Sequence, residues 1–284
     1  MSLTTNEFYN KPIVIRNKII PSRFFLAPIN TGFTKNGAPT EKLLDFHTLR
    51  SGNRIGISFV GNVAIGPNYR SNNSTAYFGR NLSPWKVLSA IIRDNGSVPG
   101  IQLGCCASKI PPIKDFINKK PENYIEEASN EFNSYSTIFL QNIINSYIEA
   151  ASISSECGFK VIQINAAHGY LLSLSLSKYF NKRVDQFGQD RTFLLKSIIN
   201  GIKCKIPDIV LDVRISLLEG IEFREKEIEY KTDILETLCC NEDEIDILSI
   251  SAGIYNINKN LIYPSKADGV APYINLVLPF TDKY

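Results

Sequence analysis

Short apolar runs bounded by Gly, Pro or Asn recur along the chain, and each gives way to a longer stretch in which apolar residues return every three or four positions. Six of these runs, at residues 24–28, 56–65, 98–103, 160–165, 209–216 and 245–251, read as buried strands. They are nearly continuous in apolar character rather than alternating, as strands covered on both faces are. The helical period predicts helices over 41–51, 84–95, 135–157, 191–204 and 225–240, with a further candidate over 271–280. The helix over 135–157 is the best defined. Ser134 is its expected N-cap, Ile138, Ile143, Tyr147 and Ala150/Ala151 its expected apolar face, and Gly158 its stop.

Strand–helix alternation of this kind implies an α/β fold with a parallel sheet, either doubly wound or closed as a barrel, and the pattern alone does not choose between them. The 284 residues fit one domain, 1–284, of barrel size, since a (β/α)8 barrel takes about 250. Yet only six strands are legible, because the connections 66–83 and 104–134 use up residues without adding a barrel strand. Connections of that length are expected to form an active-site rim.

Composition narrows the picture mainly by exclusion. At 44% hydrophobic and 11% aromatic residues the chain can bury a large core, and its net charge of +3 is spread without a basic run, so no nucleic-acid partner is expected. The start, MSLTTNEFYNKP, lacks the features of a signal peptide, and no apolar run approaches the ~18 residues of a membrane span. A cytoplasmic protein without membrane contact is therefore expected. The six cysteines show no CxxC pair and no zinc or iron–sulfur spacing, so thiols are expected rather than disulfides or metal ligands. No GxSxG elbow, P-loop, HExxH or GxGxxG element is present either.

In α/β folds the carboxyl ends of the strands build the site. The first polar residues after the apolar runs are Ala27-Pro28-Ile29-Asn30 after the first, Gln102 in the third, Asn165 with His168 and Tyr170 after the fourth, and Arg214 in the fifth. Each taken singly can be a structural hydrogen-bonding group. Together they suit an isoalloxazine ring, which needs an amide at its pyrimidine edge and a cation near N1/O2, where charge gathers on reduction. Gln102 and Arg214 can supply these. Asn165 and His168 can polarise a substrate carbonyl, and Tyr170 can deliver a proton. His47, inside the first helix, is expected to be structural or solvent-exposed.

Residues 161–173, Val-Ile-Gln-Ile-Asn-Ala-Ala-His-Gly-Tyr-Leu-Leu-Ser, followed by Leu176-Ser177 and by Asn181-Lys-Arg-Val-Asp185-Gln-Phe-Gly188, resemble the Old Yellow Enzyme or NADH:flavin oxidoreductase family. Further matches in family order are Arg23-Phe-Phe-Leu-Ala-Pro28, Ile101-Gln-Leu103, Ala150-Ala151 to Gly158-Phe159, Val213-Arg-Ile-Ser216 and Ile250-Ser-Ala-Gly253. The resemblance implies a TIM-type (β/α)8 barrel holding FMN across the strand ends. NADH or NADPH would reduce it, and an activated, carbonyl-conjugated alkene would reoxidise it. By position, Ala27, Pro28, Ile29, Gln102 and Arg214 would line the flavin, with Asn30 beside its reactive edge. Asn165 and His168 would bind the carbonyl and Tyr170 would protonate Cα as hydride reaches Cβ.

Three departures qualify that expectation. Asn165 stands where the family commonly has His, so this group can donate a hydrogen bond but cannot become cationic. After the third strand a His and a Gly-Arg are replaced by Gln102-Leu-Gly-Cys105-Cys-Ala-Ser108, and a Gly-Gly stretch is shortened to Gly188-Gln-Asp-Arg191. Finally, Asp268 to Leu278 matches the approach to strand seven, and strands seven and eight, whose loops commonly cradle the phosphate, are not found. An incomplete barrel would expose strand edges. The expected function is thus an FMN-dependent NAD(P)H oxidoreductase of the ene-reductase kind. The alternative is an impaired or inactive family member acting as a binding partner or as one part of a split enzyme. A homo-oligomer or a complementing chain would cover the open edge.

Overall fold

A computed structural model describes residues 9–52, 54–106, 121–222, 224–239 and 244–265. Every predicted strand is present. These are β3 (Phe24–Leu26), β6 (Ile55–Ala64), β8 (Val98–Gly104), β9 (Val161–Ala166), β10 (Val210–Leu218) and β11 (Ile247–Ala252), preceded and interrupted by the short hairpins β1 (Ile13–Ile15)/β2 (Lys18–Ile20) and β4 (Thr34–Lys35)/β5 (Ala38–Pro39). Neighbours in the sheet follow the order β3, β6, β8, β9, β10, β11. The pairings β3/β6, β6/β8 and β8/β9 are parallel. A doubly wound sheet reverses its strand order at a switch point, whereas a barrel adds each strand beside the last. The order here runs one way, which resolves the choice that the sequence pattern leaves open in favour of barrel winding.

The crossovers are helices α1 (Glu41–Thr48), α2 (Ser83–Asp94), α4 (Thr137–Glu156), α7 (Phe193–Lys205) and α8 (Arg224–Cys239). In α4 the buried residues Leu140, Ile143, Ile144, Tyr147, Ala150, Ala151 and Ser154 repeat at three- and four-residue spacing, a stripe wide enough to cover a sheet face. Gly158 ends it at φ +98°, and the Phe159 N–H reaches back to the Ser154 carbonyl at 3.2 Å. Two details differ from expectation. Ser134 is not the N-cap of α4 but the last residue of another helix, α3 (Pro121–Ser134), where its hydroxyl bonds to the Glu131 carbonyl at 2.7 Å. Ile138 is 74% exposed and lies off the apolar stripe.

The connection 104–134 therefore carries a helix, with Tyr124, Ala128 and Phe132 buried at four-residue spacing. The connection 66–83 carries a 3-10 turn (Pro67–Tyr69) and a two-residue strand, β7 (Ala76–Tyr77), which pairs parallel with Val63 and Ala64 of β6. The expected helix over 271–280 and the expected approach to strand seven over 268–278 lie outside the described residues. Among the described residues no helix is long and apolar enough to cross a membrane.

The chain forms two compact units. One comprises Met1–Ala107, Thr137–Asn165 and Ser197–Asp212, and its core includes Ile57, Phe59, Trp85, Leu88, Tyr147 and Ile162, all buried. The other comprises Ser108–Ser136, Ala166–Lys196 and Val213–Tyr284, with Phe132, Leu172, Phe180, Ile215 and Leu235 buried. In the second unit the Asn181–Gly188 motif has a structural role. The Arg183 guanidinium donates to the Tyr135 carbonyl at 2.6 Å and to those of Phe132 and Asn133 at 3.4 and 3.3 Å, a cation seated on the carbonyl end of α3. Asp185 holds it from the other side at 2.5 Å and accepts the Phe187 N–H at the start of α6 (Gln186–Gln189).

Candidate active site

In the first unit the strand ends bring a set of amides together. Ala27 and Asn30 are exposed after β3, Pro28 is half-buried, and Ile29 is 53% exposed. Asn30 Nδ2 lies 3.3 Å from Asn62 Oδ1 and 3.5 Å from Thr75 Oγ1, which ties this strand end to the segment 66–83. Gly61 explains how closely the strands approach. A Cβ there would stand 2.9 Å from the Gln102 Cβ and 3.1 Å from the Pro28 Cβ, so only glycine fits between those two predicted cofactor residues.

Gln102 and Gln163 are register partners in β8 and β9, so their side chains leave the sheet on one side. Gln102 Nε2 donates to Gln163 Oε1 at 2.6 Å, and Gln163 Nε2 donates to Asp212 Oδ2 at 2.6 Å. A fully buried carboxylate thus orients two amides in series, so the Gln102 amide has a fixed orientation. Sequence reasoning missed Gln163 and Asp212. Their signal was a polar residue inside an apolar run, where burial forces it to find a partner. Asn165 is 3% exposed at the end of β9. It flanks Gly104, whose Cβ position lies 3.8 Å from the Asn165 side chain and 3.5 Å from Asn62 Nδ2. Cys105 and Cys106 follow, buried. With Cys157 and Cys204 they are thiols rather than half-cystines.

In the second unit the site is built around His168. Its backbone is left-handed, φ 62°, a conformation that costs an ordinary residue about 1–2 kcal/mol. Three contacts hold it there. The His168 N–H donates to Ser216 Oγ at 3.0 Å, Ser216 in turn donates to the Gly253 carbonyl at 3.0 Å, and the His168 carbonyl accepts the Tyr255 N–H at 3.3 Å. The residue is only 8% exposed, and Nε2 lies 2.7 Å from Ser251 Oγ. Arg214 donates to the same oxygen at 3.2 Å. Burial, with the Arg214 charge adding to it, holds the imidazole down at about 3, against an ordinary 6.5. The ring is therefore neutral at physiological pH.

Tyr170, half-buried, stands two residues on, at the start of α5 (Leu171–Leu176). Tyr255 packs edge-on against His168 with ring centroids 5.9 Å apart, and its hydroxyl meets that of the exposed Tyr263 at 2.7 Å. Burial and the Tyr263 hydroxyl push the Tyr255 phenol up, and Tyr170 adds to the effect. Tyr255 and Tyr263 were not singled out in the sequence, and Ser216 and Ser251, though inside matched motifs, were given no part in the site. His47, by contrast, is buried with Nδ1 3.0 Å from Ser58 Oγ, a core histidine.

By chemistry, the first unit offers the amides of Gln102, Asn62 and Asn165 and the apolar surface of Pro28, groups of the kind a flavin ring needs, and the second unit, taken by itself, offers the Arg214 cation. Among the described residues no group of three His, Cys, Asp or Glu side chains is placed to hold a metal ion.

Comparison with known proteins adds the following. The pattern of the NADH:flavin oxidoreductase / NADH oxidase family matches residues 9–260. The chain is 24% identical over 249 residues to the NADPH dehydrogenase of Bacillus subtilis (strain 168), covering 85% of this chain and 72% of that protein. It is 27% identical over 240 residues to an NADH:flavin oxidoreductase of Gibberella zeae, covering 75% of this chain and 57% of that protein. The crystal structure of Old Yellow Enzyme from Pichia sp. AKU4542 superposes with a TM-score of 0.70 at 20% identity, over 86% of this chain and 71% of that one. That likeness establishes the TIM-barrel fold class.

Proposed function

Because the chain belongs to the NADH:flavin oxidoreductase / NADH oxidase family, whose cofactor is FMN and whose electron donor is NADH or NADPH, we propose that it reduces an activated, carbonyl-conjugated alkene with Tyr170 as proton donor. The observation that carries this reading is the unit built around His168. It joins a neutral, immobilised imidazole, a phenol two residues away and a fixed cation. When bound, FMN supplies hydride transfer, from NAD(P)H to the alkene Cβ. The chain's own groups do the rest. Pro28, Asn30 and Gln102 bind the ring, Gln102 with its amide already oriented through Gln163 and Asp212. Arg214 balances negative charge on the pyrimidine edge.

Asn165 and His168 each offer an N–H to the substrate carbonyl oxygen, stabilising the enolate charge that develops there. Tyr170 gives its phenolic proton to Cα and regains one from water, so one hydride and one proton reduce the double bond. An amide and a neutral imidazole bind a carbonyl as dipoles, which favours substrates already polarised by conjugation. Titrating the chain with FMN and following visible absorbance tests the premise. Saturable binding at micromolar FMN is expected, and its absence from the purified chain would contradict the reading.

The strands at the two ends of the sheet support a quaternary reading as well. β3 ends the described sheet at one side, with Phe24 45% exposed in the strand, and β11 ends it at the other. Strand edges of this kind are suited to cover by a second copy or a complementing chain, as in an oligomer or a split enzyme. Light scattering should then give a mass above that of one chain, whereas a monodisperse monomer would count against the covering copy.

A further inference from the structure

Ser251 sits in β11 between two groups that the proposed function assigns to different partners. Its Oγ accepts a hydrogen bond from an Arg214 guanidinium N–H at 3.2 Å and lies 2.7 Å from His168 Nε2. A serine hydroxyl has one proton and two lone pairs, and a guanidinium has donors only, so the Arg214 contact must occupy a lone pair. The proton then remains for the second contact. If His168 carried its own proton on Nε2, two N–H donors would converge on the oxygen and the hydroxyl proton would have to turn away from both. With the hydroxyl pointing at Nε2, both contacts and the proton are satisfied together.

We infer that Ser251 is a positioning residue that fixes His168 as the neutral imidazole protonated on Nδ1, so that Nδ1–H is the donor this ring offers a bound carbonyl. The backbone contacts of His168 with Ser216 and Tyr255, and the edge-on Tyr255 ring, hold the side chain in place. Arg214 strengthens the arrangement without touching the ring. By drawing electron density from the Ser251 oxygen it makes the hydroxyl a better donor to Nε2, as expected in a chain of hydrogen bonds. It also opposes protonation of the imidazole by like charge. The cation proposed for the flavin edge thus sets the tautomer of the group proposed for the substrate.

The substrate role of His168 rests on the proposed function, but the tautomer does not, and it can be read without cofactor or turnover. The chain has two histidines, so long-range proton–nitrogen correlation spectra of histidine-labelled protein contain four ring nitrogens, assigned through the signals lost in His168→Asn. His168 should show a pyridine-type Nε2 and a pyrrole-type Nδ1, unchanged from about pH 8 to about pH 5. A pyrrole-type Nε2, or an imidazolium signal in that range, would overturn the inference.

Ser251→Ala should mix the two tautomers, and Ser251→Thr, which restores the hydroxyl, should return the single Nδ1–H form. A Ser251→Ala spectrum identical to that of the parent, or a Ser251→Thr protein that loses the Nδ1–H form, would also overturn it. In the active enzyme, Ser251→Ala should lower kcat/KM for the alkene roughly tenfold through one weakened neutral hydrogen bond. A chain that binds no FMN sinks the proposed activity and leaves the tautomer standing. A wrong tautomer in an active enzyme sinks this inference alone.

Discussion

Two imidazoles enter the folded protein in a form that resists protonation. Burial lowers His168 from 6.5 to about 3 and His47 from 6.5 to about 4, with Arg214 and Arg50 adding to the effect. In the unfolded chain both titrate near 6.5, so on acidification the unfolded state takes up protons that the folded state refuses. Their contribution to stability is full above about pH 6.5 and is lost as pH falls toward the folded values, at up to about 1.4 kcal/mol per pH unit for each. Urea unfolding between about pH 7 and about pH 5 should show this slope, and His168→Asn should reduce it by about half; an unchanged slope would contradict the buried, neutral ring. Asn165, His168 and Tyr170 were legible as polar residues at or just beyond the end of an apolar run, and Gln102 and Arg214 as an amide and a cation inside one. Gln163 and Asp212, inside their runs, and Ser251, closing its run, were not, because strands covered on both faces show no alternation to mark which side chains point inward.

At the scale of elements, the loop after β10 is held by buried charge. Glu227 accepts the backbone N–H groups of Glu219, Gly220, Ile221 and Glu222 at 2.6–3.0 Å. Glu219, fully buried, pairs with Lys231 at 2.7 Å and accepts Ser177 Oγ at 2.7 Å. Lys231→Met strands the Glu219 carboxylate and should cost about 3–5 kcal/mol in denaturant unfolding. Adding Glu219→Gln should recover most of that, and equal losses in single and double variants would contradict the pairing. Gly61→Ala should push Gln102 or Pro28 aside and raise the FMN dissociation constant at least several-fold, with the fold intact by circular dichroism. The six main strands were legible as apolar runs. Helix α3 was not read, because it ends two residues before α4 begins and the pair looks like one helix with a loop before it. The β4/β5 hairpin carried its own signal, Asn36-Gly37 at φ 51° and 81°, but two-residue strands show no period to flank it.

For the whole molecule, the one-way strand order and the family pattern over residues 9–260 agree on a flavin barrel. The proposed chemistry is the central claim: FMN reduced by NADH or NADPH and reoxidised by an activated alkene, with Tyr170 as proton donor. Following flavin colour through its two half-reactions tests it most directly. With FMN bound and air excluded, NADH or NADPH should bleach the protein, and an activated enone should restore the colour. Tyr170→Phe should leave bleaching unchanged and slow the return by about 10²–10⁴-fold, the usual contribution of a general acid. Recolouring as fast in Tyr170→Phe as in the parent chain, or no bleaching of bound FMN by either nucleotide, would contradict the account.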